Sequence, residues 1–261
     1  VVKIGFVIPT AYNRPEYLPL AYESIRSQSG EFELELLVGC PRDKVDAVAA
    51  ALPQDAVVVA EPTSPGLAAK LDGLLKSLSS DCDYIAWLGD DDILTPGSLQ
   101  ETLAAMEADR SIAMVFGGCD YIDAHGKTIF NNPSGQWAAR ILNFGPQLIP
   151  QPGSLMRASS FRATGGLSAD FALAFDFDLF LKLKSQGKLV YVPKTLAQFR
   201  WHPTSLSVKR RMTSALEASK VRRAHYVGFA KFLWILWEPA VILATWAAGK
   251  LVSIRTQRLV K

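Results

Sequence analysis

Three consecutive carboxylates, Asp90-Asp91-Asp92, follow the apolar run Ile85-Ala86-Trp87-Leu88 with only Gly89 between them. At the C-terminal end of a buried strand, neighbouring like charges raise one another's pKa unless a cation sits among them. Open α/β sheets bind their ligands at that end. An all-oxygen set there suits a hard divalent ion, with a diphosphate as its remaining partner. The competing reading is a solvated turn ahead of a helix N-terminus, where aspartate is favoured in any case. Other side chains fit the same chemistry. Arg200 carries a guanidinium that matches phosphate oxygens two at a time, and Gln151 offers an amide to a sugar hydroxyl. Asp176 and Asp178 form a second acidic pair, which would equally serve to cap the helix beginning there.

These groups need a scaffold to bring them together, and the apolar pattern supplies one. A strand is expected over Val2–Ile8, then a helix from about Pro15 to Gln28 with Leu18, Ala21, Tyr22 and Ile25 on one face. Further strands are expected at Leu34–Val38, Ala56–Ala60, Tyr84–Leu88 and Ile112–Phe116, separated by helices over Lys44–Leu52, Gly66–Leu78 and a third that Thr95 caps, with Pro96 in its first turn. The alternation predicts an α/β fold: a mostly parallel central sheet with helices on both faces. Beyond residue 120 the rhythm loosens. A hairpin over Tyr121–Phe130 turns at Ala124-His125-Gly126, helices fall at Trp137–Phe144 and Phe177–Ser185, and strands at Leu189–Val192 and Leu196–Trp201. Residues 1–120 read as a nucleotide-sugar half and 121–208 as an acceptor half of one domain.

Charge separates that domain from the C-terminal segment. Residues 209–261 carry 11 Lys/Arg against 2 Asp/Glu, whereas residues 1–208 carry 17 against 23, within a net +3 for all 261 residues. The segment Phe232–Gly249 is apolar, holds Trp234, Trp237 and Trp246, and is broken by Glu238-Pro239. A basic, tryptophan-bearing helical tail predicts association with an anionic phospholipid surface rather than with nucleic acid. Both flanks of the apolar segment are basic, so a kinked, re-entrant or in-plane helix fits better than a straight span. The first apolar run has strand length, and the three widely spaced cysteines form neither a ligand cluster nor a disulfide framework. The expected location is therefore the cytoplasmic face of a membrane.

Read together, the landmarks carry a resemblance. Phe6-Val7-Ile8-Pro9-Thr10, Tyr12-Asn13-Arg14, the stretch Trp87 to Leu99 around the acidic triplet, Gln151-Pro152-Gly153-Ser154, Gly165-Gly166-Leu167, Asp176-Phe177-Asp178-Leu179 and Phe199-Arg200-Trp201-His202 occur in the order and spacing of a family 2 glycosyltransferase. The chain resembles that family over residues 3 to about 207. The resemblance implies a GT-A fold, an inverting reaction and a nucleoside-diphosphate-sugar donor held by Pro9, Thr10, Asn13, Arg14 and Asp90, with Lys70, Arg200 and His202 near the diphosphate. It implies Mn²⁺ or Mg²⁺ on Asp91 and Asp92, Asp176 as catalytic base, and Gln151 and Asp178 on the acceptor side. Two positions in its acidic motifs depart from the pattern: Gly89 replaces the first aspartate of the usual Asp-x-Asp-Asp motif, and Phe175 the glutamate before the base; Gly39-Cys40-Pro41-Arg42-Asp43 also stands where the family has an acidic pair after the second strand, which reads the nucleobase. The membrane-seeking tail suggests a lipid-linked glycan as acceptor, in cell-surface polysaccharide assembly. Two other classes stay in view. A nucleotidyltransferase would share the acidic metal site, though the first strand lacks a glycine-rich phosphate loop. A non-catalytic glycan-binding or scaffold protein would explain the two departures.

Overall fold

The computed structural model describes residues 1–132, 134–201 and 211–259. In chain order the elements are β1 (Val2–Pro9), α1 (Leu18–Arg26), β2 (Phe32–Cys40), α2 (Val45–Ala50), β3 (Val57–Ala60), α3 (Leu67–Ser77), β4 (Tyr84–Trp87), β5 (Ile93–Leu94), α4 (Ser98–Ala108), β6 (Ile112–Ile122) and β7 (Thr128–Asn131). They continue with α5 (Gln136–Ile141), β8 (Leu155–Arg157), α6 (Ala158–Ala163), α7 (Phe175–Gln186), β9 (Lys188–Arg200), α8 (Arg211–His225), α9 (Ala230–Leu233) and α10 (Glu238–Leu259).

The nine strands form one sheet in the order β3-β2-β1-β4-β8-β6-β9-β5, with β7 paired to β6. Alternation along β1 decides which side is which. Ile4, Phe6 and Ile8 meet Leu18, Tyr22 and Ile25 of α1 and Leu99 and Met106 of α4. On the other face Val7 lies in the cluster that holds Leu71 and Leu74 of α3 and Phe177 and Phe180 of α7. Both faces are therefore apolar, as a sheet covered on two sides requires.

The sheet is mixed rather than mostly parallel. Strands β3, β2, β1 and β4 run parallel, and so do β6 and β9. Between β4 and β6, however, the three-residue β8 pairs antiparallel to both, with Met156 opposite Ile85 on one side and Met114 on the other. Strand β9 is continuous where two strands were expected. Val192 pairs with Gly117 and Thr195 with Gly118, so Pro193 and Lys194 are extruded without ending the strand; a proline that cannot donate to the ladder is at home in such a bulge. The expected cap at Thr95 also differs. Gly97 takes φ +79°, which starts α4 at Ser98, while the Thr95 hydroxyl donates 2.6 Å to the Thr195 carbonyl and ties the turn to β9. The hairpin at Ala124-His125-Gly126 forms as the sequence predicts, with Tyr121 opposite Phe130.

The basic segment is not an element apart. Helix α8 packs on α7 and places Ala218 and Val221 in the main core cluster. Arg222 and Glu238 are both fully buried. Their side chains meet twice, at 2.6 and 2.9 Å, the third guanidinium nitrogen reaches the Gly145 carbonyl, and the Tyr226 hydroxyl donates 2.7 Å to Glu238. Trp237 turns inward too, donating from its indole nitrogen to Tyr226. Glu238-Pro239 is thus the first turn of α10 anchored to the body, a position where proline is tolerated. Among the described residues no single helix is long and apolar enough to cross a membrane, although Ala230–Leu236 and Glu238–Ala247 together are, with a bend of 57° between them. Glu238→Ala leaves Arg222 buried without its partner and should lower unfolding free energy by about 3–5 kcal/mol. The paired change Arg222→Met with Glu238→Leu should regain most of it, as urea titration of the three variants would show.

Candidate active site

The first contacts of the site come from two strand ends. Strand β1 stops at Pro9, and the Thr10 amide still donates to the Gly39 carbonyl, continuing the ladder. The Thr10 hydroxyl then accepts from the Tyr12 amide at 2.9 Å and donates to Asp90 Oδ2 at 2.5 Å. Tyr12 takes φ +54°, alone among the described non-glycine residues, a conformation that persists only where its surroundings enforce it. Beyond this turn Arg14 reaches Asp91, Nη2 to Oδ2 at 2.8 Å. Its other nitrogen, Nη1, is buried with no hydrogen-bond partner among the described residues.

Each aspartate of the triplet thus has its own partner. Asp92 is buried and accepts from the Arg200 amide at 3.0 Å. Burial raises the Asp90 carboxyl, and the Asp91 charge adds to that against the Thr10 bond. Burial, then the Asp91 charge, pushes Asp92 well above the usual carboxylate range. The glycine before them is a steric consequence. A Cβ at Gly89 would stand 2.9 Å from Asp92 Oδ2 and 3.2 Å from Asp91 Oδ1, because both side chains fold back over it. The departure from the family's motif therefore leaves room for two carboxylates.

A cleft of about 800 Å³ opens over these residues, lined by Pro9, Asn13, Arg14, Asp90, Asp91, Asp92 and Gln151 with Leu67, Trp87, Phe175 and Phe199. A second chamber, about 430 Å³, adjoins it and shares Asp92, Gln151, Leu173 and Phe199. Asp176 lies there, with Tyr121, Asn132, Gln147, Ser214 and Thr245 around it. Its Oδ1 accepts from the Phe177 amide at 2.8 Å and Oδ2 from Gln147 at 3.4 Å. Burial outweighs these backbone bonds and raises the carboxyl to about 6. Gln151 stands between the two cavities, its amide nitrogen fixed to the Trp87 carbonyl at 2.9 Å.

Three expected site residues turn elsewhere. Arg200 is buried and gives its guanidinium to the carbonyls of Asp91, Asp123 and Ala124, stacked 4.4 Å over the Tyr17 ring. It braces the acidic loop from behind rather than lining the cleft. Lys70 pairs with Glu61, beside β3 and off the cleft wall. Asp178 is on the opposite side of α7 from Asp176, buried between His225 at 2.8 Å and Lys182 at 2.6 Å. Burial opposes its charge, but those bonds win and hold the carboxyl below its ordinary range. It joins α7 to α8 and lines neither of these two cavities. His202 lies outside the described residues. Sequence reasoning assigned no site role to Phe175, Phe199, Asn132 or Gln147, nor to Glu217, whose Oε2 accepts from the Leu173 and Ala174 amides at 2.7 and 3.2 Å and so caps the helix that carries Asp176. The one signal for Glu217 was its isolation as an acidic residue within a basic segment.

The acidic triplet offers oxygen donors of the kind a hard divalent ion takes, although among the described residues its carboxylate oxygens do not converge as a group of three. Its donors are all oxygen, two of its carboxyls are raised by burial and mutual charge, and a guanidinium already stands against Asp91. Among the described residues the group of three possible ligands that does converge is Glu35, Asp81 and Cys82. It lies at the opposite ends of the strands, and the Lys3 ammonium fills it, at 3.1 and 2.9 Å from the two carboxylates.

Residues 6–164 match the pattern of glycosyl transferase family 2. The chain belongs to that family. A glycosyltransferase of Haemophilus influenzae, named as uncharacterized, is 23% identical over 231 residues, covering 86% of this chain and 77% of the relative. Among solved structures, the mannosyltransferase PcManGT of Pyrobaculum calidifontis, in complex with GDP-Man and Mn²⁺, superposes with a TM-score of 0.62 at 16% identity, covering 96% of this chain and 74% of that one. Residues 1–349 of S. aureus TarS with UDP-GlcNAc give 0.57 at 13% identity, covering 88% and 73%. The structural likenesses show a GT-A-type fold, and membership of the family makes glycosyl transfer its activity.

The raised carboxyl of Asp176 has a consequence for stability. Its pKa of about 6 exceeds the ordinary 3.8, so the folded chain binds a proton that the unfolded chain has already released. Ionising Asp176 therefore weakens the fold, fully above about pH 6 and not at all below about pH 4. Asp176→Asn should melt higher than wild type at neutral pH, with the gain shrinking through pH 6 and absent near pH 3.5. Melting curves across that range would check it.

Proposed function

We propose that this glycosyltransferase is inverting and moves a sugar from a nucleoside-diphosphate donor in the cleft to an acceptor hydroxyl in the adjoining chamber. The observation that carries the reading is the shared wall. The acidic triplet and a carboxyl raised to about 6 face two cavities that meet at Asp92 and Gln151.

At neutral pH Asp176 is ionised and close to the Brønsted optimum for a base. It takes the proton as the acceptor oxygen forms its bond to C1, while the bond from C1 to the diphosphate breaks and the diphosphate leaves with the electron pair. Attack from the chamber and departure toward the cleft place the two groups on opposite faces of the sugar, which inverts the anomeric centre. Arg14, on the cleft wall and with Nη1 lacking a partner among the described residues, would bind a phosphate oxygen. Asp91 and Asp92 would hold Mn²⁺ or Mg²⁺, which would offset the charge gathering on the leaving diphosphate.

The finer reading is a lipid-linked glycan acceptor, met at the cytoplasmic face of a membrane through residues 209–261 and used in cell-surface polysaccharide assembly. Phe229, Phe232, Ile235 and Leu236 stand exposed on that segment. Its two acidic residues both point inward, Glu217 to the start of α7 and Glu238 to Arg222, which leaves an outward face rich in cations.

The test is release of nucleoside diphosphate from a panel of nucleotide sugars with Mn²⁺. Asp176→Asn should keep donor affinity and lose about 10²–10⁴-fold in turnover, whereas Asp91→Ala should lose metal-dependent donor binding by calorimetry. Wild-type turnover in Asp176→Asn would remove the base from the reading. Undiminished Mn²⁺ and donor binding in Asp91→Ala would remove the metal site.

A further inference from the structure

The chamber around Asp176 is not closed by the sheet and its loops. Ser214 and Ala218 of α8 and Thr245 of α10 complete its wall, and α10 packs over β7 at its rim. Among the described residues the Thr245 hydroxyl bonds only back to the Val241 carbonyl of its own helix. The outer surface of the same segment has a different character. Val227, Phe229, Phe232, Ile235, Leu236 and Leu243 are each more than 60% exposed, and large apolar side chains gathered at the surface of one segment mark an interaction site. Cations are paired with aromatic rings beside it, Arg223 4.7 Å over Trp234 and Lys250 5.1 Å over Trp246. Apolar side chains flanked by tryptophans and cations fit the boundary of an anionic bilayer.

We propose that α8 and α10 form the acceptor site as well as the membrane platform. The acceptor is carried on a lipid, reaches Asp176 from the bilayer that supports the bend between residues 230 and 247, and rests its hydroxyl-bearing head against Ser214 and Thr245. The proposal rests on the transfer reading, and it adds that the C-terminal helices select the acceptor. One consequence is that the segment cannot be exchanged for a generic anchor without loss of acceptor use.

The experiment uses the full chain with Mn²⁺ and compares two reactions of the donor, hydrolysis by water and transfer. The acceptors are a polyprenyl-diphosphate-linked sugar in phosphatidylglycerol vesicles and the same sugar as a soluble short-chain glycoside. Thr245→Phe, which fills part of the chamber, should lower the ratio of transfer to the vesicle-borne acceptor over hydrolysis at least tenfold while keeping donor affinity by calorimetry, with Ser214→Phe behaving alike. Wild type should prefer the vesicle-borne acceptor at least tenfold. An unchanged ratio in both variants, or equal use of the soluble glycoside, overturns the proposal. Absence of donor hydrolysis in wild type would instead count against the transfer reading. In that case alkylation of Thr245→Cys by a membrane-impermeant maleimide decides: phosphatidylglycerol vesicles should slow it at least fivefold while leaving Asn13→Cys in the donor cleft unaffected. An unchanged rate at position 245 overturns the proposal.

Discussion

Negative charge crowded at one end of a buried sheet is the constraint on which the rest of the site depends. Three carboxyls in succession cannot all ionise in a desolvated turn without separate compensation, and each receives a different kind. A hydroxyl at the end of β1 serves Asp90, a guanidinium from the next turn serves Asp91, and a backbone amide from β9 serves Asp92. Those demands explain the left-handed Tyr12, which swings Arg14 back toward the strand end, and the glycine at 89, which leaves space for two side chains. They also explain why Arg200 serves structure instead of substrate. Its guanidinium gathers carbonyl oxygens from both the acidic loop and the hairpin, fixing the backbone whose amide Asp92 requires.

A second buried charge organises the C-terminal part. Arg222 and Glu238 are each fully enclosed, and enclosed ions are tolerated only when hydrogen bonds satisfy them thoroughly. Tyr226, the Gly145 carbonyl and the paired carboxylate do so here. The result is a fixed corner between α8 and α10 that faces inward with polar groups and outward with phenylalanine, isoleucine and leucine. Glu217, by capping α7, gives the same segment a hold on the helix that bears Asp176.

Regular alternation made the first half of the fold readable. Strand β1 and helix α1 announce themselves by period, and the acidic triplet lay where a parallel strand ends. What the sequence hid depends on partners far away in the chain. Strand β8 has three residues and no period to detect. The continuity of β9 across Pro193 depends on β6 beside it. Arg200, Lys70 and Asp178 were of the right type for the site, yet the nearest opposite charge or carbonyl claimed each of them, and only the fold determines which is nearest. The break at Glu238-Pro239 was visible as a flaw in an apolar stretch, but its cause, an arginine sixteen positions earlier, is a matter of packing. The packing of α8 on the body was not legible for a similar reason: its buried face is built from Ala215, Ala218 and Val221, side chains too small to stand out against its many charges.

The short strand β8 also has a mechanical meaning. It is hydrogen-bonded on both edges, to the donor-side β4 and to β6, and β6 runs alongside β9 from Ile112 to Ile122. The two cavities therefore sit on one continuous ladder with no linker between them. Rotating one half against the other would break backbone hydrogen bonds across the middle of the sheet, so the molecule has no hinge there. Motion that encloses a substrate must come from parts outside the ladder, such as the loop that carries the acidic triplet and the helices that cover the sheet.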